Sequence, residues 1–332
     1  MSPHPIARRA LPVLLISTLA LTGCASLNLA GAQSTPAPTI DTSAPVIVDN
    51  CGVEVTFDAA PERVVTIKSS TTELLLALGL GDRIVGTAFQ DGPVPEEFEA
   101  EAADIPIISD KVPSAEVALE LEPDLIYAGW ESNFSADGVG ERSELQSLGV
   151  NTYVAPSACR SVAPPKVTWD AVFGEISEVA SIFRVDASEL IADQQERVDA
   201  LLDAQPGLER TVLWYSSGTD TPYVGAGLGA PQLILETVGL TNIAGDVEAS
   251  WAPLNWEVVV DTDPAFIVLV DAAWNTAESK IEMLESNPAT ANLTAVKFSR
   301  YLIVPFAATE AGVRSIEAAE SLRDQLDTLD GP

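Results

Sequence analysis

The sequence predicts an α/β protein of two Rossmann-like lobes, each built on a parallel sheet, joined by one long helical segment. Three observations predict it. Apolar strand-like runs alternate with helical patterns over 63–155 and again after Pro206, and strands separated by helices form parallel sheets with helices on their faces. Between these stretches, 169–204 shows only helical spacing of its apolar residues. Finally, 115–126 reads A-E-V-A-L-E-L-E-P-D-L-I and 256–267 reads W-E-V-V-V-D-T-D-P-A-F-I. Each segment follows a good helix cap, Ser114 or Asn255, and puts a Glu in the first turn, where the helix dipole favours a carboxylate. Each then ends on an acidic residue, Pro and an apolar run, so Pro stops the helix and a buried strand follows. One helix–strand unit is used twice.

The elements follow in order. Arg8 and Arg9 precede an apolar run over 10–21, too short to span a bilayer, that ends in Leu21-Thr22-Gly23-Cys24. This pattern predicts a signal peptide over 1–23 and a lipid on Cys24, with a plain signal peptide as the alternative. Residues 24–45, rich in Ala, Ser, Thr and Pro, read as a flexible tether. The first lobe, 46–166, should contain strands at 63–70, 83–89, 105–109, 125–129 and 151–155, with helices at 71–79, 114–122 and 141–148. The connecting helix takes 167–205, with an interruption near Asp186. The second lobe, 206–330, should carry strands at 211–215, 267–270 and 301–304. Its helices are expected at 232–238, ending at 258–260, at 281–286 and at 311–329.

Composition narrows the function. The chain has 17 Lys and Arg against 49 Asp and Glu. Such a surface repels nucleic acid and anionic lipid headgroups, which leaves the lipid on Cys24 as the membrane contact. The only histidine is His4, inside the predicted signal peptide, so no imidazole remains for a Ser–His nucleophile or a His-based metal site. Cys51 and Cys159 bracket the first lobe and form either a disulfide, expected outside the cytoplasm, or two buried thiols.

Across some 270 residues the chain resembles the substrate-binding proteins of ABC importers for iron–siderophore complexes, haem and vitamin B12 (class III). The resemblance rests on V-V-T-I-K-S-S-T-T-E-L-L-L-A-L-G over 64–79, L-E-P-D-L-I over 121–126, L-Q-S-L-G-V over 145–150, G-L-T-N over 239–242, and Trp251 ahead of Glu257. It implies two lobes bridged by a rigid helix with limited hinge motion. It also implies that one Glu per lobe docks into arginines of the permease, at Glu116 and Glu257, with Glu73 a weaker candidate. The partners implied are an ABC permease, its ATPase and a small-molecule ligand, with the protein a monomer. A narrower resemblance, carried by 109–160 (S-D-K-V-P-S and Y-A-G-W-E-S-N-F-S-A-D-G), is to an actinobacterial subgroup named as binding proteins for a precursor of the deazaflavin coenzyme F-420.

Ligands of open parallel sheets bind beyond the carboxyl ends of the strands. That rule selects Lys68, Ser69, Ser70, Thr71, Lys111, Trp130, Ser132, Asn133 and Arg160 in the first lobe. In the second it selects Trp214, Tyr215, Tyr223, Trp251, Trp274 and the 306–314 loop with Arg314. Rings beside cations suit a planar anionic ligand. Each choice has a second assignment: the rings as core, Lys68 or Arg314 paired with a carboxylate, Thr71 as a cap. Without His or a spare Cys no resident metal or cofactor is expected, and a metal would arrive already chelated. A ferric siderophore or a phosphate-bearing deazaflavin fits this expectation, and neutral, bulky cobalamin fits the cations less well. Two other functions compete with capture and delivery: a secreted hydrolase using a carboxylate pair, and a surface adhesion lipoprotein.

Overall fold

The computed structural model describes residues 44–162 and 166–329. The signal segment, Cys24 and the tether as far as residue 43 lie outside the described residues. A hairpin opens the fold, with β1 (Val46–Asn50) antiparallel to β2 (Val53–Phe57). Its two-residue turn is Cys51-Gly52, both at positive φ, as a tight hairpin turn requires.

The first lobe then alternates as expected: β3 (Val64–Ile67), α1 (Ser69–Ala77), β4 (Ile84–Ala88), α2 (Glu99–Ala102), β5 (Ile107–Ser109), α3 (Ala115–Leu119), β6 (Leu125–Ala128), α4 (Arg142–Ser147) and β7 (Asn151–Val154). The sheet runs β5-β4-β3-β6-β7 and every pair is parallel. Strands β3 and β6 are buried along their whole length, as central strands covered on both faces must be.

The helical segment is two helices, α5 (Trp169–Phe183) and α6 (Ser188–Ala204). The break falls at the expected place. Arg184 turns left-handed at φ 58°, and Asp186 Oδ1 accepts from Ser188 N at 2.9 Å to start the next helix. The two helices serve different lobes. On α5, Glu175 and Glu178 accept from the hydroxyls of Tyr127 and Tyr153 in the first sheet. On α6, Arg197 grips Glu320 through two bonds of 3.0 and 2.7 Å.

The second lobe contains β8 (Thr211–Ser217), β9 (Tyr223–Gly225), α7 (Ala230–Thr237), β10 (Thr241–Asn242), β11 (Trp251–Pro253), α8 (Trp256–Thr262), β12 (Phe266–Asp271), α9 (Ala277–Ser286), α10 (Thr294–Lys297), β13 (Tyr301–Pro305) and α11 (Ser315–Leu329), the helix that holds Glu320. Its sheet runs β11-β9-β8-β12-β13, with β10 pairing parallel to β8. This sheet is mixed where the sequence suggested a parallel one, because β9 and β11 are antiparallel. Each has three residues, too few to show an alternating pattern.

The repeated unit occupies the same place in both sheets. Helix α3 leads into β6, which lies parallel between β3 and β7; α8 leads into β12, which lies parallel between β8 and β13. Even the turns match: Glu122 at φ 47° and Asp263 at φ 43° each stand left-handed just before a Pro. One continuous apolar cluster runs from Val64 and Leu125 through Ile176 and Val198 to Val212 and Leu322. The lobes are thus welded through α5 and α6, not hung on a loop.

Candidate ligand-binding site

A cavity of about 510 Å³ opens between the lobes at the carboxyl ends of their strands, within the usual size of a small-molecule site. The first lobe contributes Trp130, just beyond β6, and the 157–160 segment beyond β7. The second contributes Ser216 and Ser217, Tyr223, Ala249 to Trp251, Trp274, Phe306 and Glu310. The aromatic walls are ordered. Tyr223 and Trp251 stack at 6.3 Å with 12° between their planes, held side by side by the antiparallel pairing of β9 and β11. Trp274 meets Phe306 edge to face at 5.9 Å.

Of the residues chosen from sequence, Trp130, Arg160, Tyr223, Trp251 and Trp274 line this cavity. Others do not. Trp214 and Tyr215 are core residues, 0 % and 2 % exposed. Their strand extends to Ser217, two residues beyond the predicted end, so Ser216 and Ser217 take the cavity positions. Lys68, Ser69 and Thr71 are fully buried, and Ser70, only partly covered, is likewise absent from the lining. Thr71 donates to the carbonyls of Ile67 and Lys68, and Ser69 Oγ accepts from Asp91 N. Lys111 and Ser132 are exposed away from the cavity. Asn133 is buried, accepting from Trp130 N at 3.1 Å and so fixing the turn that presents that indole.

Two of the four cations chosen from sequence are occupied. Lys68 sits at φ 88°, a strained value for a side-chain-bearing residue. Its Nζ pairs with Asp91 and lies 3.9 Å from the centre of the Trp130 ring and 5.0 Å from that of Phe306. It supports the aromatic wall from beneath instead of facing a ligand. Burial pushes the Asp91 carboxyl up, with Lys68 pulling it back. Arg314 bonds Glu73 at 2.9 Å across the lobe boundary. Burial raises Glu73 to about 8 against the pull of Arg314. With 1 % of its side chain exposed, Glu73 is a lobe–lobe contact and not a docking group. Among the described residues, the Arg160 guanidinium has no ion pair or hydrogen bond. A planar anion therefore finds one free guanidinium here, not four cations.

Glu310 lay inside a loop chosen from sequence but was not singled out. Its Oε2 accepts from Trp130 Nε1 at 3.2 Å, joining the lobes at the cavity. Burial pushes its carboxyl up, while Lys68 and the Trp130 N–H pull it down. The Cys51–Cys159 disulfide is formed, with Cα atoms 5.3 Å apart, and it anchors the segment carrying Arg160 to the opening hairpin. Among the described residues, no group of three or more His, Cys, Asp and Glu side chains converges as a metal site.

Glu116 and Glu257 are exposed, each the second residue of its helix, α3 or α8. The caps form as expected: Ser114 Oγ accepts from Val117 N at 3.4 Å, and Asn255 Oδ1 from Glu257 N at 2.9 Å.

Two sheet lobes closing on an aromatic cleft, with a carboxylate at the same turn of a repeated unit in each, define a substrate-binding protein of the ABC-importer type. The family profile described as periplasmic binding protein matches residues 64–306, and the chain belongs to that family. It is 24 % identical over 325 residues to the uncharacterised ABC transporter substrate-binding lipoprotein YvrC of Bacillus subtilis, covering 94 % of this chain and 95 % of that one. It is 27 % identical over 238 residues to a cobalamin-binding protein of Halobacterium salinarum, covering 66 % of this chain and 57 % of that one. A structure from an ABC-type Fe3+-hydroxamate transport system of Saccharomonospora viridis superposes with a TM-score of 0.72 at 27 % identity, covering 85 % of this chain and 98 % of that one. The relatives are named as substrate-binding or transport proteins, and the hydrolase reading finds no support among them.

Proposed function

We propose that this protein is held outside the cytoplasmic membrane by a lipid on Cys24, captures one flat small molecule between its lobes, and delivers it as a monomer to an ABC permease driven by its ATPase. The stacked Tyr223–Trp251 pair, in a cavity that also holds Trp130 and the free Arg160, carries this reading. Offset rings present a flat apolar shelf, and one guanidinium can grip one carboxylate or phosphate bidentately. The ligand is a conjugated or macrocyclic molecule with a single anionic group, of the chelate, corrinoid or deazaflavin kind. With Lys68 and Arg314 committed to carboxylates, the cationic preference that counted against a corrinoid falls away. Glu116 and Glu257 dock the two lobes onto permease arginines.

Tryptophan fluorescence tests this. The mature protein is titrated with cyanocobalamin, a ferric hydroxamate, haemin and a hydroxy-deazaflavin. One flat ligand should give a saturable change without turnover, weakened about tenfold or more by Trp251→Ala and by Arg160→Ala. Product formation, or affinities indifferent to both substitutions, would overturn it.

A further inference from the structure

Among the described residues lining the cavity, two side chains bear charge, Arg160 and Glu310, and they stand in different lobes. Glu310 is the more constrained. Its Oε2 is taken by the Trp130 indole and its backbone carbonyl accepts from Ser315 Oγ at 3.1 Å, so the carboxyl is fixed in direction. Its other oxygen, Oε1, accepts no hydrogen bond among the described residues and is not among the sealed polar atoms. It is the acceptor left open on the cavity. Nor has Glu310 a counter-ion of its own, because the nearby Lys68 ammonium is paired with Asp91.

We infer that Glu310 is the specificity-determining acceptor of this cleft, taking an amide or lactam N–H from the rim of the ligand and turning away ligands that bring a carboxylate there. The inference rests on the flat-ligand reading of the cleft and adds a second polar requirement to it. A fixed acceptor in a desolvated site rejects a ligand lacking the donor far more strongly than an apolar wall could, and like charges brought together add to the rejection. The ligand is thus bipolar, with an anionic group for Arg160 and an N–H edge for Glu310. Corrinoids, with side-chain amides, and deazaflavins, with a lactam N–H, meet both demands. A haem has two carboxylates and no free N–H at its rim, and meets only the first.

The test uses the mature protein and three probes, cyanocobalamin, a hydroxy-deazaflavin and haemin, with affinities measured by calorimetry. The wild type should bind an N–H-bearing probe at least tenfold more tightly than haemin. Glu310→Ala should weaken that probe by about 10- to 100-fold, the range for a hydrogen bond to a charged group, while haemin binds as well or better. Trp130→Phe keeps the ring but removes the indole N–H that fixes Glu310, so the preference should narrow in it. If Glu310→Ala does not fold, Glu310→Gln decides. Gln still accepts but does not repel, so haemin should gain while the N–H-bearing probe is held. Equal wild-type affinities for haemin and the N–H-bearing probes, or parallel losses across all probes, would overturn the inference while leaving the flat-ligand reading standing. Binding of none of the three by the wild type would overturn the inference, and failure to bind the ferric hydroxamate as well would overturn both.

Discussion

Glu73 and Arg314, separated by 241 positions in the chain, meet at 2.9 Å where the 306–314 segment of the second lobe presses against α1 of the first. The same guanidinium reaches the carbonyl of Pro93 at 3.4 Å. A few ångströms of such contact determine how the two halves sit around the cleft.

Breaking that pair should be costly. Arg314→Ala leaves a buried carboxyl whose Oε2 already has no partner. Raised to about 8, that carboxyl is mostly protonated at pH 7, so what is lost is a buried hydrogen bond from a charged donor, about 1.5–3 kcal/mol. Chemical denaturation at pH 7 should show a loss in this range. Glu73→Gln, which keeps a hydrogen-bond acceptor, should lose less, and the double variant less than the sum. A neutral Arg314→Ala would mean the contact contributes nothing to holding the lobes.

A pH dependence follows from Glu175, a buried residue of α5 bonded to Tyr127 at 2.5 Å. Burial raises its carboxyl to about 7; the Tyr127 hydroxyl opposes this and Glu178 adds to it. A raised folded-state value means the folded protein holds the proton more tightly than the unfolded chain. This contribution is therefore complete below the unfolded value of 4.5 and is lost as pH climbs through about 7. The shift corresponds to about 3 kcal/mol. Glu175→Gln should gain stability relative to the wild type between pH 5 and pH 8, and parallel melting curves across that range would refute the assignment.

The Cys51–Cys159 bridge closes a loop of 108 residues, worth about 5 kcal/mol in loop-closure entropy. Cys51→Ser with Cys159→Ser should lower the melting temperature markedly. Because Arg160 follows the second cysteine directly, reduction should also loosen ligand binding before the fold is lost. Unchanged affinity under reductant would separate the bridge from the cleft.

Docking can be separated from capture. Glu116→Lys combined with Glu257→Lys should abolish uptake into cells yet leave ligand affinity in solution intact, since both side chains are exposed and neither lines the cavity. Loss of affinity in the purified double variant would defeat the docking assignment.

Much of this protein is local, and what is local can be read from the chain. The repeated helix–Pro–strand unit is written in consecutive residues, because caps, helix stops and buried apolar runs are properties of short segments. Glu116 and Glu257 were legible for that reason. The break near Asp186 was also visible, although two packed helices replaced a single long one. The five strands of the first lobe's parallel sheet were located to within a few residues, whereas the opening hairpin of β1 and β2 was not foreseen; β9, β10 and β11, of two or three residues each, carry too little pattern to find.

The cleft was legible only in part, for a different physical reason. A strand two residues longer than expected moves the exit point, which put Trp214 and Tyr215 into the core and Ser216 and Ser217 at the cavity. A positive φ at Lys68 turned a candidate ligand contact into a support beneath Trp130. The sequence by itself determined the class of fold, the paired carboxylates and the residue types available to a ligand. Only the tertiary structure decided which cations remain free, because a buried Lys or Arg must find a carboxylate, and Asp91 and Glu73 are brought to Lys68 and Arg314 by folding alone.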